Sequence, residues 1–311
     1  MILENFEFNI TDTTLPEIEP DEKALKNKDI DYIILEVEHK EFNTDTPSHL
    51  IGLMGKPMVS YLKQVCDKTP QMVMYEGEDN LISTIKPYLT NSEWVVVLYS
   101  DTPLLTYKTL AESFIYTETH ELNVSRLARG YIFKTEYIKR VNRIFAPACL
   151  FDGHEDFTIA SNFVSLANIS KIMKNRILNK FMENGVNIID PDSTYIESLV
   201  TIGKNSIIYP NACIMGDSHI GENSTVGYGS TIKNSVIGNK CNVQNSLILS
   251  SVIMDSSLIE QSTIENNSLV EKNCLIKQYS VISSSKVGEN SKVCWARVRG
   301  VEMASNTKLE N

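Results

Sequence analysis

From residue 196 an aliphatic side chain recurs every sixth position: Ile196, Ile202, Ile208, Ile214, Ile220, Val226 and Ile232. The step shortens to five at Ile237. The series then runs on through Val243, Ile248, Ile253, Ile259, Ile264, Val270, Ile276, Ile282, Val287 and Val293. Four places after many of these sits a small residue, among them Ser206, Ala212, Ser218, Cys241, Ser257, Cys274 and Ser291. An even period keeps one residue of each short strand pointing the same way. A β-branched residue there stacks on its counterpart one coil away, and the small residue lets the chain turn a tight corner. No such unit buries its apolar face alone, so neighbouring coils must stack. Three hexads per coil predict a parallel β-helix of about five to six coils over 196–298, roughly 25 Å tall. Register is expected to break after Val293, leaving CWARVRGVEMASNTKLEN largely outside the prism.

The first half has a different rhythm. Apolar runs at IDYIIL (30–35), QMVMYE (71–76), EWVVVLYS (93–100) and ARGYIF (128–133) predict strands. GKPMVSYLKQVC (55–66), DNLISTIKPYL (79–89), TYKTLAESFIYTE (106–118) and TEYIKRVNRI (135–144) predict helices, the first begun by its Pro. Strands alternating with helices imply a parallel, doubly wound Rossmann-like sheet. Ligands in that architecture sit beyond the carboxyl ends of strands, where Asp101 follows VVVLYS. Between the halves, Leu166, Ile169, Met173, Ile177 and Phe181 make one apolar helical stripe. Lys171, Lys174 and Lys180 form a solvated face, and Gly185 is a candidate C-cap.

Charge and cysteine usage narrow the function classes. Net charge is −10, and MILENFEFNITDTTLPEIEPDE contributes seven acids with no Lys or Arg. That balance argues against nucleic-acid binding. No apolar run reaches the length of a bilayer span, and the acidic start is the reverse of a basic leader, so no membrane and a cytoplasmic location are expected. The six cysteines show no CxxC pair or Cys/His ligand spacing and read as buried thiols. His219 is the one histidine of the repeat and reads as an exposed corner residue. His39, His49, His120 and His154 lie outside it in no defensible catalytic order.

Hexads of this kind resemble the left-handed parallel β-helix family, which implies trimers with prisms side by side and, in many members, acetyl-CoA-dependent acyl transfer. GKPM (55–58), SDTPLLT (100–106) and the join SNFVSLANISKIMKNRILNKFMENGVNIIDPDSTYI (161–196) add a more specific likeness. They resemble the bacterial bifunctional N-acetylglucosamine-1-phosphate uridylyltransferase/glucosamine-1-phosphate acetyltransferase family. After the acidic arm over 1–27, the resemblance implies a truncated nucleotidyltransferase-like α/β domain over 28–160. A linker helix over 161–185 and a β-helix over 186–311 complete the chain. It also implies a metal ligand at Asp101.

Departures from the family pattern bear on that site. The family places a Gly-rich loop after its first strand to bring backbone N–H groups to the nucleotide phosphates. LEVEHKEFNTDTPSHL (35–50) has no Gly. Glu41 and Ser48 stand where the family has a phosphate-neutralising Arg and Lys, and Glu36 and Glu38 add negative charge. Ala128 stands in place of the second metal ligand, an Asn. A carboxylate without a partner or a phosphate cradle holds Mg²⁺ weakly, so Asp101 is expected instead to cap the turn and the helix after it. The later coils that carry the family's acetyltransferase residues are expected to be missing, unless Trp295, Arg297 and Arg299 build a pocket of their own. The chain therefore reads as a non-catalytic relative without cofactor: a trimeric pseudoenzyme, scaffold or regulator in amino-sugar nucleotide metabolism. Its expected partner is an active homologue or a nucleotide sugar. The alternative is an active UDP-N-acetylglucosamine pyrophosphorylase-type enzyme, or a nucleotide-sugar binder, with a remodelled Mg²⁺ site.

Overall fold

A computed structural model describes residues 24–77, 81–144, 149–150 and 153–310. It divides into two compact units, whose described residues are 24–173 and 174–310. Residues 1–23 of the acidic arm lie outside the described residues. Leu25, the first buried residue among those described, is in core contact, and its amide donates to the Tyr107 hydroxyl at 2.9 Å.

The first unit is a three-layer α/β fold. Its sheet has the order β4-β1-β5-β7-β6-β8. These strands are Gln71–Met74, Ile30–Glu36, Trp94–Tyr99, Gly130–Lys134, Val124–Leu127 and Cys149–Leu150. All six residues of β5 are buried, as expected of a central strand covered on both faces. Alternation sorts its side chains. Trp94, Val96 and Leu98 pack with helices α1 (Val59–Val65) and α3 (Tyr107–Thr119); Val95, Val97 and Tyr99 pack with α2 (Leu81–Ile85) and α4 (Thr135–Arg140).

Three local expectations change. The sheet is mixed: β4, β1 and β5 are parallel, whereas β7 runs antiparallel to β5. The strand β6, unmarked by any apolar run, makes a hairpin with β7 across Ala128-Arg129. A two-residue connection can only join antiparallel strands. Pro57 does not start α1; it lies in the small hairpin of β2 (Gly52–Leu53) and β3 (Lys56–Pro57). The third concerns α2, which ends before Pro87, where the chain tightens into a 3₁₀ turn.

Helix α5 (Phe163–Glu183) belongs in its first part to this unit, where Leu166, Ile169 and Met173 are buried. Asn162 caps it through Ser165 N at 2.8 Å. Its second part belongs to the other unit, burying Leu178 in place of the expected Ile177, with Phe181 and Met182 packed beside it. Gly185 (φ +85°) closes the helix as predicted, with Val186 N on Phe181 O and Gly185 N on Met182 O, both at 3.0 Å. Lys174 is not merely solvated. Its ammonium donates to the carbonyls of Pro191 (3.1 Å) and Asp192 (2.8 Å).

The second unit is a parallel β-helix with three sheets of eight, seven and seven strands, about seven coils. All eighteen predicted positions except Ile202 are fully buried, and Ile202 packs on the same core. The prism extends past the hexad stretch 196–298 at both ends. Asn187–Ile188 (β9) already pairs with Ile207–Ile208. Past Val293, Val298 pairs with Ile282, Met303 with Val287 and Leu309 with Val293. Two successive five-residue steps, with Arg297 and Arg299 flanking Val298, hide that continuation from a search for hexads.

The corners explain why a step can lose a residue. The residue before most of the small ones takes a left-handed conformation, as at Asn205, Asn211, Asn223, Asn234, Asn245 and Asn290. Asn tolerates that region better than other residues with a Cβ. In five-residue steps the small residue comes three places after the aliphatic one, as at Ser235, Ser246, Ser251 and Ser262. These hydroxyls bridge coils. Ser235 Oγ accepts from Ser251 N, and Ser251 Oγ from Ser268 N, at 3.1 and 3.2 Å.

Candidate functional site

The carboxyl ends of β1 and β5 lie side by side, with Leu35 opposite Tyr99. The turn after β5 is fixed by Ser100, whose Oγ accepts from Val37 N at 3.0 Å. Asp101, the next residue, is wholly buried. Its Oδ1 accepts from Arg129 Nε at 3.2 Å and its Oδ2 from Arg129 Nη2 at 2.7 Å. His39 Nε2 donates to Oδ2 at 2.9 Å. Burial alone would raise the Asp101 pKa, but the bonds from His39 and Arg129 outweigh it and hold the carboxyl below its ordinary value. Arg129 is likewise held above its ordinary value against the opposing effect of burial, by Asp101.

Arg129 reaches this position from the β6–β7 hairpin. Its guanidinium lies over the Tyr99 ring, 4.2 Å from the centroid, with Tyr75 edge-on to Tyr99 at 5.8 Å. The next residue must be glycine. A Cβ on Gly130 would stand 2.7 Å from the Val97 carbonyl oxygen. The close approach of β7 to β5 thus fixes where Arg129 leaves the sheet.

The segment 35–50, where the phosphate loop was sought, is wired to itself. Glu38 Oε2 accepts from Ser48 N (3.0 Å) and Ser48 Oγ (2.9 Å), and Ser48 Oγ accepts from His39 N at 2.9 Å. Glu41 is exposed and Glu36 half-buried. A cleft of about 580 Å³ runs along this loop, lined by Glu38, His39, Lys40, Phe42, Asp45 and Ser48 among others. Ala128 contributes only a methyl group, packed against the core.

Asp101 does not cap α3. Thr106 does, through Thr109 N at 3.2 Å, and buried Asp156 binds Thr106 N, Thr106 Oγ1 and Thr109 Oγ1. Asp101 is held from the other side, by residues 28 and 62 positions away in sequence. This donor set does not suit a divalent cation, because both carboxylate oxygens already accept from Arg129 or His39. Among the described residues no group of three or more His, Cys, Asp or Glu is arranged to hold a metal ion.

The other histidines are dispersed. His219 is not at an exposed corner; it sits half-buried on β14 (His219–Ile220), with Nδ1 2.6 Å from Thr201 Oγ1 one coil away. Burial lowers its pKa, against a smaller opposing effect of Asp217. His49 lies 3.7 Å from Glu38, His120 stacks on Tyr116, and His154 accepts from Asp156 N. Cys241 and Cys274 are buried corner thiols, the former pushed up to about 11 by burial.

Residues 199–234 match the family described as bacterial transferase hexapeptide (six repeats). A bifunctional GlmU protein of Caldanaerobacter subterraneus is 38% identical over 106 residues, 34% of this chain and 23% of its own length. The bifunctional GlmU protein of Geobacillus thermodenitrificans is 47% identical over 79 residues, 25% of this chain and 17% of its own. Over these stretches the chain is similar to bifunctional GlmU proteins. The matched stretch spans about a quarter or less of the length of these relatives. A solved CMP:2-keto-3-deoxy-manno-octonic acid synthetase complexed with CTP aligns with 48% of this chain and all of its own (TM-score 0.35, 9% identity). Among the described residues no helix is long and apolar enough to cross a membrane.

Proposed function

We propose that this chain is a catalytically silent relative of sugar-1-phosphate nucleotidyltransferases, serving as a scaffold or regulatory partner in amino-sugar nucleotide metabolism. One observation carries the reading: the carboxylate that would hold the metal is clamped by Arg129 and His39. A guanidinium bonded to both oxygens supplies the positive charge a metal would bring, without any open coordination position. Displacing it would leave a partly desolvated cation beside an incoming divalent ion. Breaking buried pairs of this type costs about 3–5 kcal/mol. The acidic, glycine-free loop 35–50 adds to the barrier, because phosphoryl transfer draws most of its catalysis from neutralising phosphate charge.

The β-helix is proposed to assemble as a homotrimer through its prism faces. Between residues 196 and 299 nine Lys or Arg face eight Asp or Glu, so side-by-side packing meets little net repulsion. A nucleotide sugar or an active homologue is the proposed partner. No acetyl transfer is proposed at His219. The base of such a reaction must reach the acceptor amine, and His219 Nδ1 is occupied by Thr201.

Manganese binding tests the clamp. Titration with Mn²⁺ in the presence of UTP, followed by the free-ion paramagnetic signal, is expected to show no stoichiometric site. One tight site per chain that disappears in Asp101→Ala would overturn the reading in favour of a remodelled enzyme.

A further inference from the structure

The prism carries a recess that the nucleotidyltransferase reading does not use. Consecutive coils at one corner read VGYGSTI (226–232), VQNSLI (243–248), IEQSTI (259–264), IKQYSVI (276–282) and VCWARV (293–298). The second and third take five residues between core positions, where the first and fourth take six. Two shortened corners between longer ones draw the surface inward. A groove of about 400 Å³ results, with Gly229, Asn245, Gln261 and Tyr279 along the corner and Thr231 and Thr263 on the adjoining strands.

Aromatic rings stand on the coils at either edge of this stretch, and Tyr279 lines the groove itself. Tyr209 and Tyr228 pair at one end, 4.8 Å between centroids, and Tyr279 and Trp295 at the other, 5.6 Å apart. Tyr228, Tyr279 and Trp295 are 56%, 65% and 55% exposed. Tyr279 and Trp295 also occupy left-handed corner positions, φ +58° and +55°, which elsewhere in the prism fall mostly to Asn, Ser or Gly. A bulky residue is costly in that conformation, and here it gains little burial in return. No residue lining the groove is ionisable except the Tyr279 phenol, so a charged ligand finds no counter-charge. Instead the walls offer carboxamides, hydroxyls and ring faces. The coil spacing of about 4.8 Å is comparable to the length of one hexopyranose unit, so successive coils can meet successive sugars.

We propose that this corner binds a neutral oligosaccharide, with sugar C–H faces stacked on Trp295 and Tyr279 and hydroxyls bonded to Gln261 and Asn245. The site is independent of the Asp101 clamp.

Tryptophan fluorescence of the full chain tests it. The chain has two tryptophans, and Trp94 is buried, so acrylamide quenching reports chiefly on Trp295. Cellohexaose, maltohexaose and chitohexaose serve as probes. At least one is expected to protect Trp295 saturably, with little dependence on salt. Gln261→Ala is expected to weaken that protection by about tenfold. Calorimetry with the same sugar is expected to show a similar loss in Trp295→Ala and recovery in Trp295→Tyr. Absence of saturable protection by all three sugars up to millimolar concentrations would overturn the proposal. So would a drop in sedimentation mass in Trp295→Ala without any effect of sugar, which would assign the groove to a second copy of the chain.

Discussion

Arg129 and Asp101 form an ion pair whose loss is asymmetric. Asp101 is wholly buried while the Arg129 side chain retains 28% exposure, so Asp101→Asn should cost about 3 kcal/mol at neutral pH, the low end for a buried pair. The folded-state pKa of Asp101 lies below its ordinary value. Its contribution to stability is therefore complete above the unfolded pKa of about 3.9 and is lost as pH falls through the folded value. Urea midpoints of wild type and Asp101→Asn should converge below about pH 4. A gap that stays constant from pH 7 to pH 3 would contradict the pairing. Gly130→Ala tests the geometry beside it. The new Cβ meets a backbone carbonyl that cannot swing away, and a loss of about 1–3 kcal/mol is expected in the same assay. Asp101 was legible in the sequence because a buried apolar run announces the end of a strand. Arg129 and His39 were not, since no periodicity links three residues drawn from two loops and a hairpin. The absence of Gly from 35–50 and the Arg beside Ala128 were the available signals, each visible but not joined to the other.

At the scale of elements, the hexads were readable because an even period and a stacked core leave little freedom for the side chains. Ile253 is wholly buried between coils, and Ile253→Ala should cost about 2–5 kcal/mol by chemical denaturation. Asn223, by contrast, is needed for its left-handed backbone (φ +56°). Asn223→Gly should stay within about 0.5 kcal/mol of wild type, whereas Asn223→Val should lose about 1–2 kcal/mol. Equal losses in the two variants would point to a side-chain role instead. The last coil escaped notice because Val298, Met303 and Leu309 follow steps of five, five and six, and a corner that loses one residue moves its serine as well. Strand β6 escaped for a different reason. VSRL has too few apolar residues to mark a strand, and its pairing comes from the two-residue turn into β7. The mixed sheet followed from that single unread hairpin.

For the whole molecule, the chain passes from one unit to the other within α5, and the chemistry proposed for each differs. The β-helix should hold three chains together. Sedimentation equilibrium at micromolar concentration is expected to give the mass of three chains, and the mass of one chain would refute the trimer. The α/β unit should hold no catalytic metal, because Asp101, at the carboxyl end of β5, is committed to Arg129 and His39. The most direct test is pyrophosphate release from UTP and N-acetylglucosamine 1-phosphate in the presence of Mg²⁺. Wild type and Asp101→Ala are expected to give the same background rate. Release by wild type at a rate of about 1 s⁻¹ or more, abolished in Asp101→Ala, would show that the clamp opens and that the site is an enzyme's.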